Sequence, residues 1–588
     1  MRISNTHQIF FGVICFYIFM VLLTGLARAD VNLAHKVAQI YPKLNQSKAS
    51  AESRAEAVKL ILYEMGYGYE HHESLLVFYS QRDYEPLWVT QKGLTKKALK
   101  IVELLDKSWT HGFNPENYDL DQIRGMSSGK KWQENAIQSA ILELGISNAV
   151  SRFVKDMTSI RVAPKKAHID ESHWRDPADP AKILKALTEK AGVQEVIKSL
   201  YPDNALYTEL RLALIDHVLE IESLSGGGDD INPPDLNTLL IKPGDRHSII
   251  PRIRARLMNE TGIKNGSRSL SYDSHLNHLV KNFQTRHNIR ADGVIGPETL
   301  RLLHKDSKAR LYQIIANMER LRWIDFNRPD KYIVVNVPSA RLWAIKNQRV
   351  IEQMPVVVGR PDRPTQSFVA SIKGVRLNPN WTIPQKIKTE DIYADIQKNP
   401  KILIDKNIDI YNGFGIKADR VNPASVNWKS LSKRDIRRFN MVQKPGNSNP
   451  LGRFRFLMFN KNNIYIHDTN QPELFHQSYR AQSSGCIRAA QPEALADFVM
   501  DDFEDWSKIS EKTLSENLER DFSISKEIPV YILYLTMWTS RDGSLTWGPD
   551  IYGYDSQLIE SLRHKNAIFI PDNPSSWVTS LSILQNKG

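Results

Sequence analysis

The spacing of hydrophobic and polar positions changes twice along this chain. From 30 to about 224 apolar residues recur at three and four positions, as at Ala98, Leu99, Ile101, Val102, Leu104 and Leu105, which predicts a mainly helical domain over 30–225. A Ser-Gly-Gly-Gly-Asp-Asp run from 225, followed by Pro233 and Pro234, reads as a linker over 226–238. Helical spacing returns at Ile249, Ile253 and Leu257 and again at Leu276, Val280 and Phe283. There it leads into a tight apolar turn at Gly293 and Gly296, with Pro297 placed to open a closing helix, so a small three-helix domain is expected over 239–308. From Tyr332 the period becomes two, in the runs 332–337 and 341–345, and a β-rich domain is expected over 330–560. A Lys-rich, partly helical insertion at 382–440 interrupts it, and the strand pattern resumes at 452–459. The reading is a multidomain α+β chain, consistent with three to four domains of about 150 residues.

The first 29 residues follow another logic. One basic residue, Arg2, precedes an apolar run from Ile9 to Leu26, and Ala27-Arg28-Ala29 fits the small-x-small rule for cleavage before Asp30. The run is also long enough to stay as an uncleaved anchor. Either outcome exports the rest of the chain to the periplasm or cell envelope, with membrane contact only if the segment is retained. The charge is +12, or +10 without Arg2 and Arg28, which suits an anionic envelope or simply a solvated basic face. No Lys/Arg run is interleaved with aromatics, so nucleic acid is not an expected partner.

Export gives the cysteine count its meaning. Cys15 lies in the leader, so Cys486, in Ser483-Ser484-Gly485-Cys486-Ile487-Arg488, has no partner within the mature chain. Upstream by 19 residues, a polar turn at 460–463 returns the chain along Ile464-Tyr465-Ile466-His467-Asp468. Alternation puts Tyr465 and His467 on one face and Ile464 and Ile466 toward the core, which aims the imidazole outward. A thiol attacks an amide carbonyl efficiently as thiolate, and a neighbouring imidazole can take its proton and return one to the leaving amine. Gly485 lets the loop turn backbone N–H groups toward a developing oxyanion. Arg488 either binds a substrate carboxylate or braces the loop. His476 is nearer Cys486 in sequence, but no strand pattern aims it.

The His-Asp-Thr run at 467–469 followed by Ser-x-Gly-Cys-x-Arg resembles the catalytic signature of L,D-transpeptidases. The insertion, opened by Asn378-Pro379-Asn380-Trp381 and closed by 443–452, resembles the capping lid of their large class. Phe78-Tyr79-Ser80-Gln81-Arg82 and Pro86-Leu87-Trp88 resemble its scaffold, and 529–553 its C-terminal strand and tail. Phe283-Gln284 and the Asp292-Gly293-Val294-Ile295-Gly296-Pro297-Glu298-Thr299 run resemble a peptidoglycan-binding domain. Many smaller family members carry His at the position of Ser484 and Gly at that of Asp468.

The resemblance implies Cys486 as nucleophile, His467 as general base and acid, and oxyanion-hole amides from Gly485 and Cys486. Tyr465 becomes a wall of the site, and Ser483, Ser484 and Arg488 substrate contacts. It implies a 3→3 cross-link between peptidoglycan stem peptides, made without metal or organic cofactor, and acylation by a carbapenem at one residue. Peptidoglycan stems and glycan are the implied partners, together with other cell-wall synthesis proteins. An L,D-carboxypeptidase using water as acceptor and a non-catalytic wall-binding scaffold are the alternatives. A papain-like protease would place its Cys before its His, and Ser430-Leu431-Ser432-Lys433 lacks a following Lys-Thr-Gly.

Overall fold

The computed structural model describes residues 49–64, 71–129, 131–169, 174–189, 192–224, 239–259, 269–287, 289–303, 307–325, 329–415, 418–539 and 545–568. The expected leader at 1–29 and linker at 226–238 lie outside them. No described helix is long and apolar enough to cross a membrane.

The N-terminal part is helical, as its spacing predicts. Its axis is α1 (Ala136–Thr158), started by the Asn135 side chain, which accepts from Gln138 N at 2.9 Å, and buried on nearly every face. Glu143 of α1 is fully buried yet satisfied: its carboxylate accepts from the backbone N–H groups of Leu87, Trp88 and Val89 at 2.6, 2.8 and 3.0 Å and from Tyr79 Oη at 2.6 Å. The Tyr79 and Pro86-Leu87-Trp88 motifs are thus the two halves of one buried carboxylate site. A second helix, α2 (Ser307–Arg322), joins this core to the β-rich domain. Its Glu319 is fully buried between Arg161 and Arg322, at 2.7 and 2.6 Å.

The small domain contains helices Ile250–Asn259, Ser274–Arg286 and Pro297–Leu303 around a core of its own. Its signature residues build the turn. The Gln284 side chain donates to Val294 O at 2.9 Å and to Thr299 Oγ1 at 3.2 Å and accepts from Gly293 N at 2.8 Å.

The strands of the β-rich domain up to residue 533, in chain order, are β1 (Lys331–Asn336), β2 (Arg341–Lys346), β3 (Arg349–Gly359), β4 (Phe368–Leu377), β5 (Trp381–Thr382), β6 (Ile408–Asn412), β7 (Asp419–Val421), β8 (Phe439–Gln443), β9 (Phe454–Met458), β10 (Ile466–His467), β11 (Ala481–Ser483), β12 (Ile487–Ala489) and β13 (Arg520–Leu533). Nine of them form one sheet in the order β11-β3-β12-β10-β9-β4-β13-β1-β2, and a further β2–β3 pairing curls it into a barrel-like form. Its interior is filled by alternate residues such as Ile333, Val335, Val356, Val358, Phe456 and Ile466. The insertion adds to its expected helices a four-stranded antiparallel sheet, β5-β8-β6-β7, with a separate core of Ile396, Leu403, Ile410 and Met441. It is therefore a folded subdomain and not merely an extended loop.

Candidate active site

The Asn-rich turn builds the approach to β10. Asn460 Oδ1 accepts from the N–H groups of Asn462 and Ile464 at 3.1 and 3.2 Å, and Asn463 takes a left-handed φ of 53° that asparagine tolerates. Ile464 and Ile466 then point into the barrel core, while Tyr465 and His467 line a cavity on the other side. His467 Nδ1 faces its neighbour's carbonyl, Asp468 O, at 2.5 Å. That contact needs the proton on Nδ1, which leaves Nε2 as the acceptor. The expectation that the imidazole points outward needs correction in one respect: it points away from the core, but only 5% of the residue is exposed.

β12 runs parallel to β10 and pairs Ile466 with Ile487 and His467 with Arg488. This places Cys486 at the entry to β12, half-buried and free of any disulfide. The loop before it is self-braced: Ser483 Oγ donates to Cys486 O at 2.6 Å and accepts from Gly485 N at 3.1 Å. Gly485 sits at φ +115°, a conformation that side chains rarely adopt. The Gly485 N–H, expected to face an oxyanion, is thus turned onto Ser483. The loop amides with no hydrogen-bond partner among the described residues are those of Ser484 and Cys486. Ser483, expected to touch substrate, spends its hydroxyl within the loop.

A second tier holds the loop from behind. Thr365 Oγ1 donates to Gly485 O at 2.8 Å and accepts from Gly359 N at 2.8 Å. Tyr552 Oη donates to Gly359 O and accepts from Thr365 N at 3.2 Å. A side chain at Gly359 would collide with Arg363 O at 2.3 Å. Ser484 is exposed, and its hydroxyl accepts from Arg363 at 3.0 Å and from Arg360 at 3.3 Å. Arg363 also forms ion pairs with Glu390 and Asp391 of the insertion, at 2.5 and 2.7 Å, and so ties the insertion to the loop that carries Cys486.

Lid and barrel enclose a cavity of 780 Å³ lined by Cys486, His467, Tyr465, Ser483, Ser484 and Arg488 from the barrel and by Trp381, Lys386, Asp391 and Lys406 from the insertion side. All of the expected side-chain contacts are therefore brought to one cavity, and His476 is absent from its lining. Arg488 lines the cavity and donates to Gln471 Oε1 at 2.8 Å, outside the loop that carries Cys486. Asp468 turns inward, where its carboxylate accepts from the N–H groups of Thr469 and Arg453 at 2.6 and 2.7 Å. Sequence reasoning missed Thr365, Arg363 and Arg455. Only Arg455 had a readable signal, the alternation of Arg453 and Arg455 with Phe454 and Phe456 along one strand.

Electrostatics favour a neutral pair at rest. Burial, then the cations of Arg488 and Arg455, hold His467 down at about 3 against the pull of the Asp468 carbonyl. Burial pushes the Cys486 thiol up, opposed by the Tyr465 N–H and hydroxyl and by the same two arginines. The Cys486 thiol faces Asn463 O at 3.9 Å, and an unprotonated imidazole lining the same cavity as a thiol that keeps its proton can act as base during attack. Among the described residues no group of three or more His, Cys, Asp or Glu is placed to hold a metal ion.

Residues 330–521 match the L,D-transpeptidase catalytic domain, 73–214 a scaffold domain, and 247–303 a domain described as a "putative peptidoglycan binding domain". A curated relative from Haemophilus influenzae, described as a "putative L,D-transpeptidase", is 31% identical over 248 residues, 42% of this chain. The chain spans about half of that relative's length, 48%. Among solved structures, an L,D-transpeptidase from Mycobacterium smegmatis aligns at 12% identity and a TM-score of 0.18, covering 35% of this chain and 58% of its own. One from Xylanimonas cellulosilytica aligns at 11% and 0.15, covering 51% and 100%. Neither structural likeness is close enough to bear on the chemistry.

Proposed function

We propose that this chain, which carries an L,D-transpeptidase catalytic domain and a peptidoglycan-binding domain, joins peptidoglycan stem peptides by 3→3 cross-links through a Cys486 thioester. The observation that carries this reading is the placement of one unpaired thiol and one unprotonated imidazole in a single lidded cavity. Cys486 Sγ attacks the carbonyl that joins the L-centre of the stem's third residue, a diamino acid, to the terminal D-Ala, and His467 Nε2 takes the thiol proton. The C–N bond breaks as that proton passes to the leaving amine, and D-Ala departs. The side-chain amine of a second stem then attacks the thioester, giving its proton to His467, and the thiol is restored.

The Cys486 N–H is the backbone donor for the oxyanion in both steps. The insertion roofs the site and limits competition from water during the thioester's lifetime. The small three-helix domain, which matches a peptidoglycan-binding domain, holds the enzyme on its polymer, and the expected export leader makes the periplasm the compartment of this reading.

The test is product analysis with two stem peptides, an unlabelled tetrapeptide donor and a labelled tripeptide acceptor. A cross-linked dimer with release of one D-Ala per bond is expected. Shortened donor without dimer would make the enzyme an L,D-carboxypeptidase, and no reaction would leave a wall-binding scaffold.

A further inference from the structure

Three arginines line the cavity, and they are not equally engaged. Arg363 is paired with Glu390 and Asp391, and Arg488 donates to Gln471. Arg455 has neither an ion pair nor a hydrogen bond among the described residues, and its buried Nε is without a partner. It stands on β9, where it is the register partner of His467 on one side and of Arg376 on the other. Arg376 takes both carboxylate oxygens of Asp521, at 2.5 and 2.6 Å, so that acid feels the charge of Arg455 without an ion pair or hydrogen bond to it. The guanidinium lies over the Tyr465 ring, 4.2 Å from its centre, and the residue lines the cavity.

An unpaired cation beside a general base is unfavourable unless an anion arrives with the substrate. With Arg488 on the other flank, His467 stands between two positive charges, and both oppose the imidazolium that forms when Cys486 gives up its proton. Neutralising one of them makes the proton transfer easier.

We propose that Arg455 is the binding residue for the free α-carboxylate of the residue that the donor loses, and that donors are selected through it. The proposal rests on the acyl transfer proposed above. The leaving amine takes its proton from His467 Nε2, and the carboxylate carbon of the leaving residue lies about 2.5 Å from that residue's own amine nitrogen. Side chains paired across two antiparallel strands start about 5 Å apart, so a group bound at His467 is within reach of the Arg455 fork. That fork accommodates a carboxylate bidentately. Lys386 and Lys406 also face the cavity, but from the roof and not from the sheet that carries the base. Arg455 therefore reads the leaving group, whereas the roof faces the rest of the stem.

The test compares two donors, a stem tetrapeptide ending in D-Ala and the same peptide ending in D-Ala carboxamide, with wild type, Arg455→Gln and Arg455→Lys. The readout is kcat/KM for release of D-Ala or its amide with acceptor present. Wild type should favour the free acid by about 30-fold, the worth of a charged hydrogen-bonded contact. Arg455→Gln should lose most of the preference for the acid and turn over the amide at least as fast as wild type, because removing the cation eases proton transfer to His467, while Arg455→Lys recovers part of the preference. Amide turnover that holds or rises shows that the variant is folded. Equal use of both donors by wild type, or an equal slowing of both by Arg455→Gln, would overturn the assignment while leaving the acyl transfer standing. If wild type releases nothing from either donor, the acyl transfer itself falls, and this proposal with it.

Discussion

Arg488 is the parallel-sheet partner of His467, so a permanent cation stands beside the imidazole in the same face of the barrel. Burial and this charge keep His467 unprotonated down to about pH 3, and burial raises the Cys486 thiol. A resting thiolate–imidazolium pair would need the opposite shifts. The two groups are therefore both neutral near pH 7, and the thiolate appears only as pH rises past the ordinary thiol range. Alkylation of Cys486 by iodoacetamide should climb continuously from pH 6 to beyond pH 9. A plateau of full reactivity below pH 7 would show a preformed ion pair.

The Thr365 hydroxyl holds two backbone groups at once, Gly359 N and Gly485 O. Thr365→Val keeps the shape and leaves a buried amide unsatisfied, at a cost of about 1–3 kcal/mol. Urea unfolding should register that loss. Because Gly485 O anchors the loop of the nucleophile, kcat for acyl transfer should fall by more than tenfold, about what small misplacement of a reacting group costs. Wild-type kcat in a destabilised Thr365→Val would show that the loop is held by other means.

How much of this was legible in the chain depends on the range of the interactions. Cys486 and His467 could be singled out because a cysteine count, a period-two strand and a local Ser-Ser-Gly-Cys loop are all short-range features. The helical scaffold and the closing turn of the small domain were readable for the same reason. Thr365 and Tyr552 lie far from Cys486 in sequence, and only the barrel closure brings them behind its loop. The alternation of Arg453 and Arg455 showed which strand carried them, but not the register that sets Arg455 beside His467. The lid's sheet escaped because its strands, three of five residues or fewer around a two-residue edge at Trp381–Thr382, are too short for periodicity to separate from helical turns.

Arg363 joins the lid to the nucleophile loop through Glu390, Asp391 and Ser484. Arg363→Met removes all three contacts but retains most of the packing volume. Hydrogen exchange across 385–398 should then quicken several-fold, with the barrel strands unchanged. Hydrolysis of the thioester should gain on aminolysis. Identical exchange in the variant would mean that the lid is held by its apolar contacts alone.

The most direct measurement of the central claim is intact mass after incubation with a carbapenem, which the nucleophile opens to a stable acyl adduct. Wild type should gain the mass of one carbapenem, mapped to the peptide that contains Cys486. His467→Ala should acquire the adduct far more slowly, and Cys486→Ala should not acquire it at all. An unmodified wild type, or a Cys486→Ala protein that carries the adduct, would contradict the assignment of Cys486 as the acylated group.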